Sequence, residues 1–84
     1  MHATATGDEM LDRLKRVFRE NFEDPELVVD DTLSRATLDR WDSFEQVKLV
    51  LAVEEEFGVK FTMEEVTSLA SVAEFRRALS ARLA

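Results

Sequence analysis

The residues best placed for chemistry stand together at Trp41-Asp42-Ser43-Phe44, just before an apolar run flanked by acids, Glu45 to Gly58. A serine at that point has three chemical readings. As a helix N-cap, its hydroxyl oxygen accepts a backbone N–H, and Gln46 three residues later fits a capping box. As a catalytic nucleophile, it needs a base and an oxyanion hole. The chain's single histidine is His2, near its first residue, and no Gly-x-Ser-x-Gly elbow occurs. That leaves the nucleophile without partners, and no residue is assigned as catalytic. As a modification acceptor, Ser43 would present its hydroxyl at a helix N-terminus, where the dipole favours an attached phosphate. Asp42 beside it would help a modifying enzyme position a metal-bound phosphate donor. The residues alone leave the cap and the acceptor both open.

The elements around Ser43 follow from periodicity. Apolar residues at Met10, Leu11, Leu14, Val17, Phe18 and Phe22 recur at helical spacing. Asp8 is the expected cap of this first helix, and Arg13, Lys15, Arg16 and Arg19 are expected to face outward or toward its end. Asp24-Pro25 stops it, because proline lacks the N–H a helix needs. Residues 24–42 then form a long connection, which the apolar residues Leu27, Val28, Val29, Leu33 and Leu38 are expected to anchor. The second helix is expected from Ser43 to Phe57, with Gly58 as its C-terminal stop. Thr62 with Glu65 reads as a capping box for a short third helix. Ser71 with Glu74 repeats that signal for a last helix. Val72, Phe75, Leu79 and Leu83 form the apolar side of that helix, with Arg76, Arg77 and Arg82 outside.

On a wheel of about 100° per residue the second helix shows two apolar faces. Leu49, Val50, Val53 and Phe57 fall on one side; Phe44, Val47 and Leu51 fall nearly opposite. A small domain buries the first stripe readily. The second is then an exposed apolar strip among charges, which is how a docking surface reads. The competing reading is a central helix buried on both sides.

The totals bound the rest. The chain has 84 residues, enough for one small domain, with 2 glycines, 1 proline and no cysteine. Few turn residues and dominant helical periodicity point to an all-α fold. Neither a disulfide nor a thiolate metal site is available, so thiol chemistry needs an attached group. Residues 1–7 read as a disordered leader and 8–84 as a single domain. No run is apolar enough to span a membrane, and the expectation is a soluble, cytoplasmic monomer. Net charge is −7, and residues 20–74 hold fifteen acids against four bases, a local balance of −11. Such a surface repels nucleic acid and attracts basic patches on proteins.

Residues from about 10 to 83 resemble the acyl carrier protein family. Asp42-Ser43-Phe44 is similar to its Asp-Ser-Leu attachment triplet, and Val47 to Phe57, closing on Glu54-Glu55-Glu56-Phe57-Gly58, is similar to the helix that follows it. The length, acidity, long first loop and short third helix match as well. The resemblance implies a four-helix bundle that catalyses nothing itself. It implies 4′-phosphopantetheine on Ser43, transferred from coenzyme A by a phosphopantetheinyl transferase with Mg²⁺, its thiol holding acyl groups as thioesters. It further implies acyl-loading and acyl-transfer enzymes whose basic patches meet Asp42, Glu45, Glu54 and Glu55, with Phe44, Val47 and Leu51 as apolar contacts. Leu49, Val50, Val53, Phe57, Phe61, Leu69 and Phe75 would line a core into which a cargo chain slips.

Three residues depart from the fatty-acid carriers: Phe44 follows the serine, Lys48 takes a usually acidic position, and Trp41 replaces a small residue. The family's Asp-Leu-Gly approach becomes Leu38-Asp39-Arg40-Trp41, and the Trp41-Asp42-Ser43 approach looks more like discrete carriers of specialised pathways. The expected function is therefore an acyl carrier for fatty-acid, lipid or polyketide-type biosynthesis. An aminoacyl or peptidyl carrier, and an unmodified acidic adaptor for a basic protein, are the alternatives.

Overall fold

The computed structural model describes residues 7–83. Among these, four helices follow one another: α1 (Gly7–Asn21), α2 (Ser43–Phe57), α3 (Met63–Ser68) and α4 (Val72–Leu83). No strand forms among the described residues; one isolated antiparallel bridge pairs Ser34 with Ser71. The expected all-α bundle, with its long first connection and short third helix, is what the chain adopts. Helix α1 already includes Gly7, so Asp8 lies inside it and is not its cap. The rest of the expected leader, residues 1–6, lies outside the described residues.

Side-chain burial joins the helices. Leu14 and Phe18 of α1, Leu49 and Val53 of α2, and Val72, Phe75 and Leu79 of α4 are fully buried in one cluster. Aromatic rings fill its centre: Phe18 meets Phe75 edge-on with centroids 5.7 Å apart, and Phe61 meets Phe75 at 6.1 Å. Such pairs add about 0.5–1.5 kcal/mol each beyond area burial.

Helix α1 ends before Pro25 arrives. Glu23 takes a left-handed conformation (φ 54°), and Asp24 N–H reaches back to Arg19 C=O at 2.9 Å. This is a Schellman-type stop made with glutamate where glycine is usual. The connection then folds on local turns. Asp30 Oδ1 accepts the Thr32 N–H at 2.9 Å, and Arg35 N–H and Val72 N–H bond across to Ala70 C=O and Leu33 C=O. Arg76 of α4 grips Asp31, with Nη2 at 2.8 Å from Oδ2. Leu27 and Val29 are buried, while Leu33 and Leu38 pack partly against the core. Val28, expected as an anchor, is 69% exposed. Burial alternates along Leu27, Val28 and Val29, and only Val28's neighbours face inward. Leu83 of α4 is likewise exposed, one turn beyond the last core contact at Leu79.

Two helix signals act as expected. Gly58 stops α2 with φ 66°, and its N–H returns to Glu54 C=O. Thr62 and Glu65 form a complete capping box at α3. Ser71 Oγ accepts the Glu74 N–H at 3.1 Å, whereas Glu74 reaches back to Ala70 N–H at 2.7 Å.

Helix α3 buries no residue fully. Polar ties hold it instead. Arg82 of α4 pairs with Glu65, bonds Lys60 C=O at 3.1 Å and lies 4.7 Å over the Phe61 ring. Gln46 of α2 makes the other tie.

Candidate functional site

The four residues of the opening motif go four different ways. Trp41 is buried, 2% exposed, against Phe18 at 5.3 Å and Phe22 at 6.2 Å between centroids. Asp42 is the N-cap of α2: its Oδ1 accepts the Glu45 N–H at 2.9 Å and its C=O accepts the Gln46 N–H. Ser43 is the first helical residue, and Phe44, 70% exposed, projects from the surface.

The cap reading of Ser43 is therefore corrected. Asp42 satisfies an orphan donor of the first turn, the Glu45 N–H, and the N-cap is the residue before Ser43. The Ser43 residue is exposed, and its Oγ makes no hydrogen bond among the described residues. The N–H groups of Ser43 and Phe44 also find no acceptor there. The hydroxyl thus stands at the positive end of a 15-residue helix with two backbone donors open beside it.

Gln46 is corrected with it. It is not a capping-box partner but the one polar residue of the core, 3% exposed. Its Oε1 accepts the Trp41 indole N–H at 2.7 Å, and its Nε2 donates to Val66 C=O at 2.8 Å and Leu69 C=O at 2.7 Å. Both N–H groups of the amide and one lone pair of its oxygen are thereby engaged. The pattern did carry a signal: Gln46 continues the Val50, Val53, Phe57 stripe back by one turn.

Around the serine, α2 shows the two faces expected of it. Leu49, Val50, Val53 and Phe57 are buried; Val47 and Leu51 are 52% and 59% exposed, on the face that also carries Phe44. Lys48 Nζ lies 5.5 Å over the Phe44 ring and 3.4 Å from Glu45 Oε1. Glu45 also accepts from Asn21 Nδ2 at 3.2 Å. Glu54, placed among the recognition acids, accepts the Phe61 N–H at 2.8 Å and so shapes the α2–α3 turn. Glu55 is exposed. Glu56 is held by Arg13, whose Nη2 donates to Glu56 C=O at 2.6 Å while its guanidinium lies 4.6 Å over Phe57. The open acids of this face are therefore Glu55 and the far oxygen of Asp42.

The comparisons agree with this geometry. The family described as "phosphopantetheine attachment site" matches residues 12–79. A protein of Thermosynechococcus vestitus named acyl carrier protein is 37% identical over 65 residues, covering 76% of this chain and 79% of that one. The chain belongs to the acyl carrier protein family. It is a carrier without catalysis of its own, and 4′-phosphopantetheine is its cofactor. Work with a loading transferase and with biosynthetic enzymes goes with that membership. Among the described residues, no helix is long and apolar enough to cross a membrane.

The site suits the cofactor. At the start of α2 the Ser43 hydroxyl, which makes no hydrogen bond among the described residues, would be open to esterification, and the open N–H groups beside it would favour the charge of a phosphodiester.

Proposed function

We propose that Ser43 carries the phosphopantetheine and that the chain shuttles acyl intermediates between enzymes of a dedicated pathway of fatty-acid, lipid or polyketide type. The observation that carries this reading is the unused hydroxyl of Ser43 beside an aspartate that has taken over the cap. Loading joins Ser43 Oγ to the pantetheine-bearing phosphorus of the coenzyme A diphosphate. The bond to the nucleotide breaks, adenosine 3′,5′-bisphosphate leaves, and the hydroxyl proton passes to the transferase or to water. When bound, the group supplies the thiol that a cysteine-free chain lacks.

The chain's own residues position and present it. Asp42 fixes the helix start, so Ser43 leaves the surface in one direction. Phe44, Val47 and Leu51 offer an apolar strip at the spacing by which a helix docks into a groove. Asp42, Glu45, Glu54 and Glu55 surround it with negative charge that draws basic patches. Lys48 interrupts that charge beside the strip and would bias the choice of partner away from general fatty-acid enzymes.

Intact-protein mass spectrometry tests the site. The chain is incubated with coenzyme A, Mg²⁺ and a broad-specificity phosphopantetheinyl transferase, with Ser43→Ala alongside. The expected result is one phosphopantetheine on the parent and none on the variant. A loaded Ser43→Ala protein would refute the site. An unloaded parent beside an active control carrier would favour the unmodified acidic adaptor, whose binding to a basic partner survives Ser43→Ala.

A further inference from the structure

The space behind Ser43 is occupied, and by residues that resist displacement. Trp41, two residues before the serine, fills the junction of α1, α2 and α4, with its ring centroid 5.3 Å from Phe18, 6.2 Å from Phe22 and 6.3 Å from Phe75. Three residues after the serine, Gln46 closes the seam between α2 and the end of α3. Its amide hydrogens are both engaged by carbonyls of that end, and its oxygen holds the indole N–H at 2.7 Å. The two side chains therefore lock each other.

A chain tethered at Ser43 can enter the bundle here only by moving the indole or by parting Gln46 from α3. Moving the indole opens the aromatic cluster. Parting Gln46 from α3 leaves its buried amide and the Leu69 carbonyl without partners, and frees the partly buried Val66 carbonyl, which is the costly way to break hydrogen bonds. The apolar burial that a chain of one or two carbons recovers does not offset this, and a longer chain must also make up for the aromatic packing of the indole that it displaces.

We infer that Trp41 and Gln46 are gate residues that keep the cargo outside the bundle, so that the carrier serves short or polar acyl and aminoacyl groups that need no internal shelter. The inference rests on Ser43 as the attachment point. It replaces the expectation that cargo slips into the core lined by Leu49, Val53, Phe61 and Phe75.

The test loads the full chain with acetyl- or octanoyl-phosphopantetheine from the matching acyl-coenzyme A, with mass spectrometry confirming each product. Failure to load sinks the Ser43 reading, and the inference with it; a loaded protein tests the gate by itself. Cleavage of each thioester by hydroxylamine is then timed and divided by the rate for the same acyl group on free pantetheine. A cargo sheltered for nine-tenths of the time would react about tenfold more slowly. The expected result is equal normalised rates for the two chains, with unchanged emission from Trp41, the chain's single tryptophan. Octanoyl protection beyond about threefold, or a Trp41 emission shift that grows with chain length, overturns the inference. Trp41→Leu should open the space and restore octanoyl protection; a folded Trp41→Leu protein without protection would remove Trp41 as the gate. Should that variant not fold, the comparison on the parent chain still decides.

Discussion

Replacing Gln46 with leucine tests whether its amide holds α3 in place. Leucine is similar in size and suits the apolar stripe, so a purely packing role predicts little change. The hydrogen bonds say otherwise. The variant strands the Trp41 indole N–H, 2% exposed, and the Leu69 carbonyl, both in buried bonds, and the Val66 carbonyl in a partly buried one. A buried group left unpaired costs about 1–3 kcal/mol. Two such groups and a third that water reaches, less the gain of a buried leucine, give a net loss of about 3 kcal/mol. A domain of this size has roughly 4–12 kcal/mol in total. The thermal midpoint should then fall by roughly 12–24 °C. Urea denaturation followed by far-ultraviolet circular dichroism gives the free energy. Trp41→Phe provides the internal check, because it removes the stranded N–H. In that background Gln46→Leu should cost about 1 kcal/mol less. A loss below about 1 kcal/mol in the parent, with no coupling to Trp41→Phe, would refute the reasoning.

Three further predictions follow from the helix ends. Asp42→Ala should cost about 1 kcal/mol and Ser43→Ala less than about 0.5, because only Asp42 caps α2; equal losses in denaturant titrations would return the cap to Ser43. Glu23→Gly should stabilise the chain by about 1 kcal/mol by relieving a left-handed glutamate, so a melting midpoint at or below the parent's would remove strain at that turn. The Glu65 carboxyl is held below its ordinary value of 4.5, chiefly by the Thr62 N–H and further by Arg82, with burial opposing. A carboxyl lowered in the folded state stabilises above its unfolded pKa, and that stabilisation is lost as pH falls through the folded value. The parent's midpoint should therefore drop more steeply than that of Glu65→Gln as pH falls below 4.5, and parallel profiles would count against the Glu65 contacts.

What was legible depended on how far each residue's role is local. Gly58, the Thr62–Glu65 box and the Leu49, Val50, Val53, Phe57 stripe are decided within a turn or two of helix, and the chain shows all of them. The span of α2, Ser43 to Phe57, was legible, but its capping residue was not, because aspartate and serine are adjacent and both cap well. Tertiary structure decides it: Trp41 is drawn into the core, which leaves Asp42 extended at φ −96° and ψ −171° just outside the first turn. Gln46 was hidden for a similar reason. A polar residue on an apolar stripe reads as a surface or cap residue until its three partners, from two other segments, are brought together. Val28 was misplaced because the apolar triplet Leu27-Val28-Val29 was read as a unit, whereas burial alternates along it. The cofactor came from likeness to a family rather than from physics, since a free serine at a helix start does not declare what it will carry.

These corrections bear on function together. Asp42 caps, Trp41 fills the core and Gln46 ties α3, so the structural demands at the start of α2 are met by residues on either side of Ser43. A capping serine would lose its acceptor geometry when esterified, and loading would then destabilise the helix that partners read. With the cap on the neighbouring aspartate, Ser43 can exchange a hydroxyl for a phosphodiester without breaking a hydrogen bond made among the described residues. Its negative charge falls at the helix end that favours it. The loaded and unloaded chains should therefore present the same Phe44, Val47 and Leu51 strip, and melting midpoints of the two forms within about 4 °C of each other would bear this out. A loaded form that melts far lower would mean that Ser43 contributes to the fold after all.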